Sequence, residues 1–463
     1  MIPLTLAEVA TAVHGRLVGD PTIVVSSVTI DSRQVVAGGL FAALSGDRHD
    51  GHDHVPSALA AGASAVLCTR DVPAPHILVP DVAVAIGRLA RFVHDRLPQL
   101  TTMALTGSSG KTSTKDLLAQ ILRGHGATVA PPGSFNNELG VPLTVLRCED
   151  TTRYLVLEMG ARGVGHIAYL CDIAPPQVAI VLNVGSAHVG EFGSQALIAE
   201  AKSEIVTGLP ASGVAVLNSE DPLVAAMGAK TAARVLTFGE YAPADVHVRN
   251  LTLDARARPQ FDLEYAGEQA PVALQVSGEH MAANAAAAAT AAFAVGLELP
   301  EVAAALSAAT LISRWRMEIV ESPDGVVVVN DAYNANPESM RAALKALVAM
   351  GGSGRTWAVL GEMRELGDSA LAAHDEIGRL AVRLDISRLV CVGDGARAMH
   401  LGAAQEGSWG NESMWVPDVD AAIAAVRADV RPGDVVLVKA SRAIGLEAVA
   451  AALLADSGDG AQP

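Results

Sequence analysis

The chain is poor in aromatic residues, 3 % of 463 positions, so its cores must be filled with alanine, valine and leucine. It is also poor in cysteine. Cys68, Cys148, Cys171 and Cys391 stand far apart with no C-x-x-C pair, the pattern of buried, reduced thiols in an intracellular protein. None of the 13 histidines falls in an H-E-x-x-H pattern. Positive charge is the minority sign: Lys+Arg is 33 against 50 for Asp+Glu, a formal net charge of −17. So acidic a chain repels phosphate backbones and is excluded as a general nucleic-acid binder. Any phosphate it takes must be held by a few placed cations, backbone amides and metal ions. The opening MIPLTLAEVATAVHG lacks a basic start and an apolar stretch, so no secretory leader is expected. No run of about 18 strongly apolar residues exists, so no membrane span is expected. The alanine-rich run Ala282–Ala294 comes nearest and reads as an ordinary helix. A cytoplasmic monomer is expected.

Apolar residues are 50 % and charged residues 18 %, enough to fill cores throughout and to exclude wholesale disorder. At about 150 residues per domain the length points to three domains. The first, 1–98, alternates short apolar runs (Ile23–Val25, Ala65–Leu67, His76–Val79) with helical stretches such as Val55–Ala61 and Asp81–Leu97, the last ended by Pro98. The second, 99–310, carries buried-strand patterns at Thr101–Thr106, Tyr154–Glu158, Val178–Asn183 and Val214–Asn218. Helices are read at Lys111–Arg123, Gly163–Cys171 and Gln195–Thr207, an alternation that argues for a parallel α/β sheet. Between Asp245 and Val276 the period changes to two, predicting a small antiparallel flap. A helix over His280–Val295 closes the region. The third, 311–463, repeats the α/β pattern, with strands at Val326–Asn330, Thr356–Gly361, Arg388–Gly393 and Val435–Ala440.

The strongest chemical signal is T-G-S-S-G-K-T-S-T, Thr106–Thr114, set where a strand ends and a helix begins. The backbone N–H groups of such a turn, with the positive end of the helix, cradle phosphate oxygens. Lys111 can reach the terminal phosphates of a nucleotide and the Thr112 hydroxyl can ligate magnesium. The general pattern G-x-x-x-x-G-K-[ST] would need glycine at position 105, where Leu105 stands. Glu158 and His188 follow strand ends, where open α/β sheets gather their ligands. Lys202, in A-E-A-K-S-E-I, reads by spacing alone as an exposed helical lysine. Polar and basic groups also crowd turns at Asp31–Arg33 and Ser45–His52, at Asn330–Pro337 and at Lys439–Arg442.

Together these segments resemble the Mur ligases over nearly the whole chain. The carriers are D-S-R-x-V-x-x-G-x-L-F-x-A-L-x-G-x-x-x-D-G-H (31–52), T-G-S-S-G-K-T (106–112), F-N-N-E-L-G-V-P (135–142), E-M-G-A (158–161) and A-H-V-G-E-F-G-S (187–194). R-M-E (316–318), D-A-Y-N-A-N-P-E-S-M (331–340), L-G-E-M-R-E-L-G (360–367) and V-L-V-K-A-S-R (436–442) complete the set. The short phosphate loop is that family's own form.

The resemblance implies an N-terminal α/β domain for a UDP-sugar, a central P-loop ATPase-like parallel sheet and a C-terminal Rossmann-like α/β lid. It implies that ATP phosphorylates the terminal carboxylate of UDP-N-acetylmuramoyl tripeptide, and that the amine of D-Ala-D-Ala attacks the acyl phosphate through a tetrahedral intermediate. It assigns ATP to Gly107, Ser108, Ser109, Gly110, Lys111, Thr112, Ser113, Asn284, Arg316, Asp331 and Asn334. One Mg²⁺ falls to Thr112 and Glu158 and a second to His188, and Lys202 matches the lysine that becomes carbamylated. Lys111, Glu158, His188 and Lys202 carry the catalysis. Ser32, Arg33, Ser45, Gly46 and His52 would hold the uridine diphosphate. Asn137 would touch phosphates or substrate, and Lys439 and Arg442 the dipeptide carboxylate or the muramoyl peptide. Two departures stand out: Met281 follows His280 where many relatives have asparagine, and Asn330 replaces a frequent aspartate. The diaminopimelate- or lysine-adding ligases are the nearest alternative, but the D-N-P-R of the diaminopimelate-adding members is missing. A folate polyglutamylating ligase would lack the D-S-R domain. A silent nucleotide-binding scaffold would not keep Lys111, Glu158, His188 and Lys202. Motifs split across regions predict an enzyme that closes its domains around the nucleotide.

Overall fold

The computed structural model describes residues 1–46, 49–185, 189–407, 410 and 412–455. Beside a two-stranded antiparallel pair, Leu4–Thr5 with Val24–Val25, three larger sheets follow one another along the chain. The first has five strands in the order Arg16–Val18, His76–Leu78, Ala65–Cys68, Leu40–Ala42, Val28–Thr29, parallel except for the first pair. The second has nine, and seven of them, from Thr128–Val129 through Thr101–Thr106 to Val246–Leu253, run parallel. The third has six, antiparallel only where Glu318–Glu321 pairs with Val327–Asn330. Strands covered by helices on both faces read as unbroken apolar runs, and Tyr154–Glu158 is buried at all five positions.

The period-two segment is antiparallel as expected, and it is attached to the sheet through its own strands. Val246–Leu253 pairs in parallel with Arg234–Gly239, and Pro259–Tyr265 and Glu268–Ala273 extend the same sheet. Its inward residues Phe261, Leu263 and Val272 join a core built around the helix Met281–Ala294. That helix is apolar apart from Asn284 and Thr290 and is buried except at Ala283 and Ala294; Ala285 to Ala289 are each 0 % exposed. Methyl-only side chains let it lie close against the sheet and against the helix Lys111–Arg123.

The joints between units differ in kind. The first unit's helix Val82–His94 packs on Gly140–Val145 and His166–Ile173 of the second, and one apolar core runs through both. Polar contacts join the third unit to the second, Ser134 with Tyr333 (2.6 Å), Arg316 with Thr112 (3.2 Å) and Asn336 with Ser108 (3.4 Å), and Ala257 of the second unit joins the third unit's apolar core.

Candidate active site

The strand Thr101–Thr106 delivers the chain to the phosphate loop, and its neighbours in the sheet bring Glu158 and Asn183 to the same edge. The loop needs its glycines. A Cβ on Gly107 would stand 2.9 Å from Leu182 Cβ, and Gly110 sits at φ +80 with its Cβ position 2.5 Å from Asn284 Oδ1. Asn183 Oδ1 accepts from the backbone N–H groups of Ser108 and Ser109, both at 2.9 Å, and its Nδ2 donates to Ser109 O. The helix Lys111–Arg123 starts without a side-chain cap. Its first-turn N–H groups therefore remain available to an anion.

Lys111 Nζ donates to Gly107 O at 2.6 Å, and burial holds its ammonium pKa below the usual lysine value against the pull of Glu158. Glu158 is 1 % exposed. Its two oxygens accept from Thr112 Oγ1 (2.9 Å) and Asn136 Nδ2 (2.7 Å), and Arg316 Nη2 donates in turn to Thr112 Oγ1. A hydroxyl beside a carboxylate is a hard-oxygen pair that fits magnesium, which takes one or two protein ligands and completes its shell with phosphate oxygens and water. Among the described residues no cluster of three His, Cys, Asp or Glu could hold a metal. Lys202 is 5 % exposed, which corrects the exposed reading that spacing alone gives. It lies on the inward face of Gln195–Thr207, where burial and the Lys111 ammonium push its pKa well down. Among the described residues nothing hydrogen-bonds to its amine. His188 lies outside the described residues.

The third unit supplies the opposite wall of a cavity of about 430 Å³, lined by Ser108–Ser113, Glu158, Asn284, Arg316, Asp331 and Asn334 among others. The Arg316 guanidinium stacks over the Tyr333 ring at 4.2 Å and its Nε is buried without a partner. Asp331 accepts from Met317 N (3.1 Å) and from Lys439 Nζ (2.6 Å). His280, also in the wall, has an unpartnered Nδ1, and burial lowers its pKa. Asn284 Nδ2 meets Met281 Sδ at 3.4 Å.

Three of the expected site residues make their contacts within the protein. Asn137 is exposed and its Oδ1 accepts from Gly140 N, a local turn; its neighbour Asn136 reaches the site. Lys439 is buried at the cavity wall, where two of its three donors go to Asp331 Oδ2 and Asn334 O. His52 is 6 % exposed, with Nδ1 2.6 Å from Asp50 and Nε2 accepting from Thr69 N, so it shapes its loop from within. Ser32 and Arg33 follow the strand Val28–Thr29, and Ser45 and Gly46 follow its neighbour Leu40–Ala42. They form a separate edge in the first unit, where Asp31 holds Arg33 and Asp50 gathers Ser45, His52 and Arg70. Arg442 is half exposed, paired with Glu447 and stacked over Trp315. Asn136, Asn183, His280, Tyr333 and Asn336 escape the sequence reading. Asn183 ends a recognised strand and Asn336 sits in a recognised Asn-rich turn, so position was the available signal.

Comparison with known proteins gives a consistent picture. The description "Mur ligase family, catalytic domain" matches residues 24–94, "Mur ligase middle domain" residues 105–292 and "Mur ligase, glutamate ligase domain" residues 315–442. A protein of Mycobacterium tuberculosis named UDP-N-acetylmuramoyl-tripeptide–D-alanyl-D-alanine ligase is 50 % identical over 98 % of both chains. One of the same name from Escherichia coli is 34 % identical over 98 % of this chain and 99 % of its own. A crystal structure of MurF from Acinetobacter baumannii superposes with a TM-score of 0.89 at 32 % identity, covering 98 % and 99 % of the two chains. The MurF ligase of Thermotoga maritima in complex with ADP gives 0.80 at 30 % identity, over 92 % and 96 %.

Proposed function

The chain belongs to the Mur ligase family, and we propose that it is the ATP-dependent ligase that joins D-alanyl-D-alanine to UDP-N-acetylmuramoyl tripeptide in peptidoglycan synthesis. The relatives named for that reaction match it end to end. The observation that carries the chemistry is the Thr112–Glu158 pair beside Lys111, in a cleft roofed by Arg316 and Asp331.

In this reading the units 1–98, 99–310 and 311–463 hold, in turn, the uridine diphosphate, the triphosphate and the incoming amine. Lys111 and the first-turn amides hold the terminal phosphates, where charge develops as the γ-phosphoryl leaves. Thr112 and Glu158 would hold magnesium, which supplies charge neutralisation between two polyanions. Arg316, with its free Nε, faces the same phosphates. The peptide carboxylate takes the γ-phosphoryl group and ADP departs; the amine then adds to the acyl carbonyl, and the tetrahedral adduct expels phosphate. Burial and the Lys111 ammonium lower the Lys202 pKa, which favours the neutral amine, the form that takes up CO₂. The carbamate would place an anion beside Lys111, and His188 would hold a second ion. Ser32, Arg33, Ser45 and Gly46 bind the diphosphate edge, with His52 holding their loop, and Lys439 and Arg442 face the dipeptide carboxylate or the muramoyl peptide. Asn284 and Asn334 border the nucleoside.

Phosphate release measured with UDP-N-acetylmuramoyl tripeptide and each candidate amine separately tests the assignment. Turnover is expected with D-Ala-D-Ala; turnover with a single amino acid and none with the dipeptide would overturn it. Lys111→Ala is expected to abolish turnover while the circular dichroism spectrum stays that of the parent.

A further inference from the structure

Lys115, one turn beyond Thr112, is 1 % exposed, and its ammonium is fully satisfied by three oxygens. Nζ donates to Pro131 O and Gly133 O, each at 2.9 Å, and pairs with Asp116 Oδ1 at 2.7 Å. Burying an ammonium is unfavourable unless every donor is used, and a methionine or leucine would fill the same space more cheaply. What the charge gains here is a hold on the loop that follows the strand Thr128–Val129. The chain leaves Gly133 at φ +59 and within three residues places two side chains. Ser134 Oγ meets Tyr333 of the third unit at 2.6 Å, and Asn136 Nδ2 donates to Glu158 at 2.7 Å. Asn136 O also accepts from Gly160 N (2.8 Å), just past Glu158.

We propose that Lys115 is a positioning residue of the ligase site: by gripping the carbonyls of Pro131 and Gly133 it sets Asn136 against Glu158 and so fixes the carboxylate that Thr112 shares. Lys115 itself lies outside the cavity wall, so it acts through the loop and not on a ligand. This inference rests on the proposed nucleotide site, and its test separates the two.

The test uses calorimetric binding of a nonhydrolysable ATP analogue across a magnesium titration, with thermal melting as a parallel measurement. The full chain is compared with Lys115→Met, Asn136→Ala and the combination. Each single variant is expected to raise the magnesium concentration for half-maximal binding about tenfold, and the combination to raise it no further than the worse single change. A purely structural lysine would lower the melting temperature and leave the magnesium requirement unmoved. That outcome, or independent multiplying effects in the combination, would overturn the inference. Lys115→Met strands the Asp116 carboxylate, so Lys115→Met with Asp116→Asn is measured as well, against Asp116→Asn alone. If neither Lys115 variant folds, the residue serves the fold and the inference falls. If the parent binds no nucleotide, the site itself is misread; if it binds but does not turn over D-Ala-D-Ala, only the reaction is.

Discussion

Gly110 carries two constraints in one residue: φ +80, and an Asn284 oxygen 2.5 Å from where a Cβ would go. An L-residue in that conformation costs about 1–2 kcal/mol, and here the side chain would also push Asn284 away from the cavity. Gly110→Ala is therefore expected to weaken nucleotide binding about tenfold, checked by calorimetry; unchanged affinity would mean that the loop relaxes freely. At this scale the sequence is legible where one short segment holds both the residue and its reason. Lys111 and Thr112 follow a glycine turn in a strand-to-helix setting, and Glu158 ends an apolar run. It is silent where the partner is distant. Nothing local separates Asn136 from Asn137, yet the first reaches Glu158 and the second caps its own turn. Lys115 looks like any helical lysine until Pro131 and Gly133 fold over it.

The helix Ala370–Arg383 contributes His374, which is 2 % exposed. Its Nδ1–H donates to Ala370 O at 2.6 Å, and Nε2 accepts from Met363 N at 2.9 Å. That second bond fixes the neutral ring, and burial lowers the pKa from the ordinary 6.5. The folded state then binds fewer protons than the unfolded one, so the contribution is whole above the unfolded value of 6.5 and is lost as pH falls from there toward the lower folded value. Burial acts in the same direction at His94 and His280. The melting temperature is expected to drop as pH falls below about 6.5, and less steeply in His374→Leu. That variant should also be about 1–3 kcal/mol less stable at neutral pH, because Met363 N–H loses its acceptor. Parallel slopes would count against the assignment. Long buried strands and amphipathic helices are the elements the sequence announces: Thr101–Thr106, Lys111–Arg123, Gln195–Thr207 and Thr356–Gly361 fall on their expected bounds. The strands Arg16–Val18, Val28–Thr29 and Leu40–Ala42 were not anticipated. Two or three residues carry no period, and their pairing is dictated by neighbours that only the fold assembles.

At the scale of the molecule, the apolar joint between the first and second units and the polar joint between the second and third predict where motion lies. Interfaces that are small and polar are the ones that open. The third unit also touches the second where Gly190 N donates to Glu365 O (3.3 Å), and a Cβ on Gly190 would stand 2.5 Å from Gly367 N. Gly190→Ala is accordingly expected to reduce turnover by about tenfold to a hundredfold through misplacement, with little change in melting temperature. Small-angle scattering should show the parent contracting when nucleotide and tripeptide are added and the variant contracting less. An unchanged radius in the parent would count against closure. Beneath all of this lies the helix Met281–Ala294, whose central methyl groups have no rotamers to choose among. Alanine loses no side-chain freedom on ordering. The floor of the nucleotide cleft is thus already silent before a ligand arrives, and whatever stiffening accompanies binding must be registered in the walls and in displaced solvent.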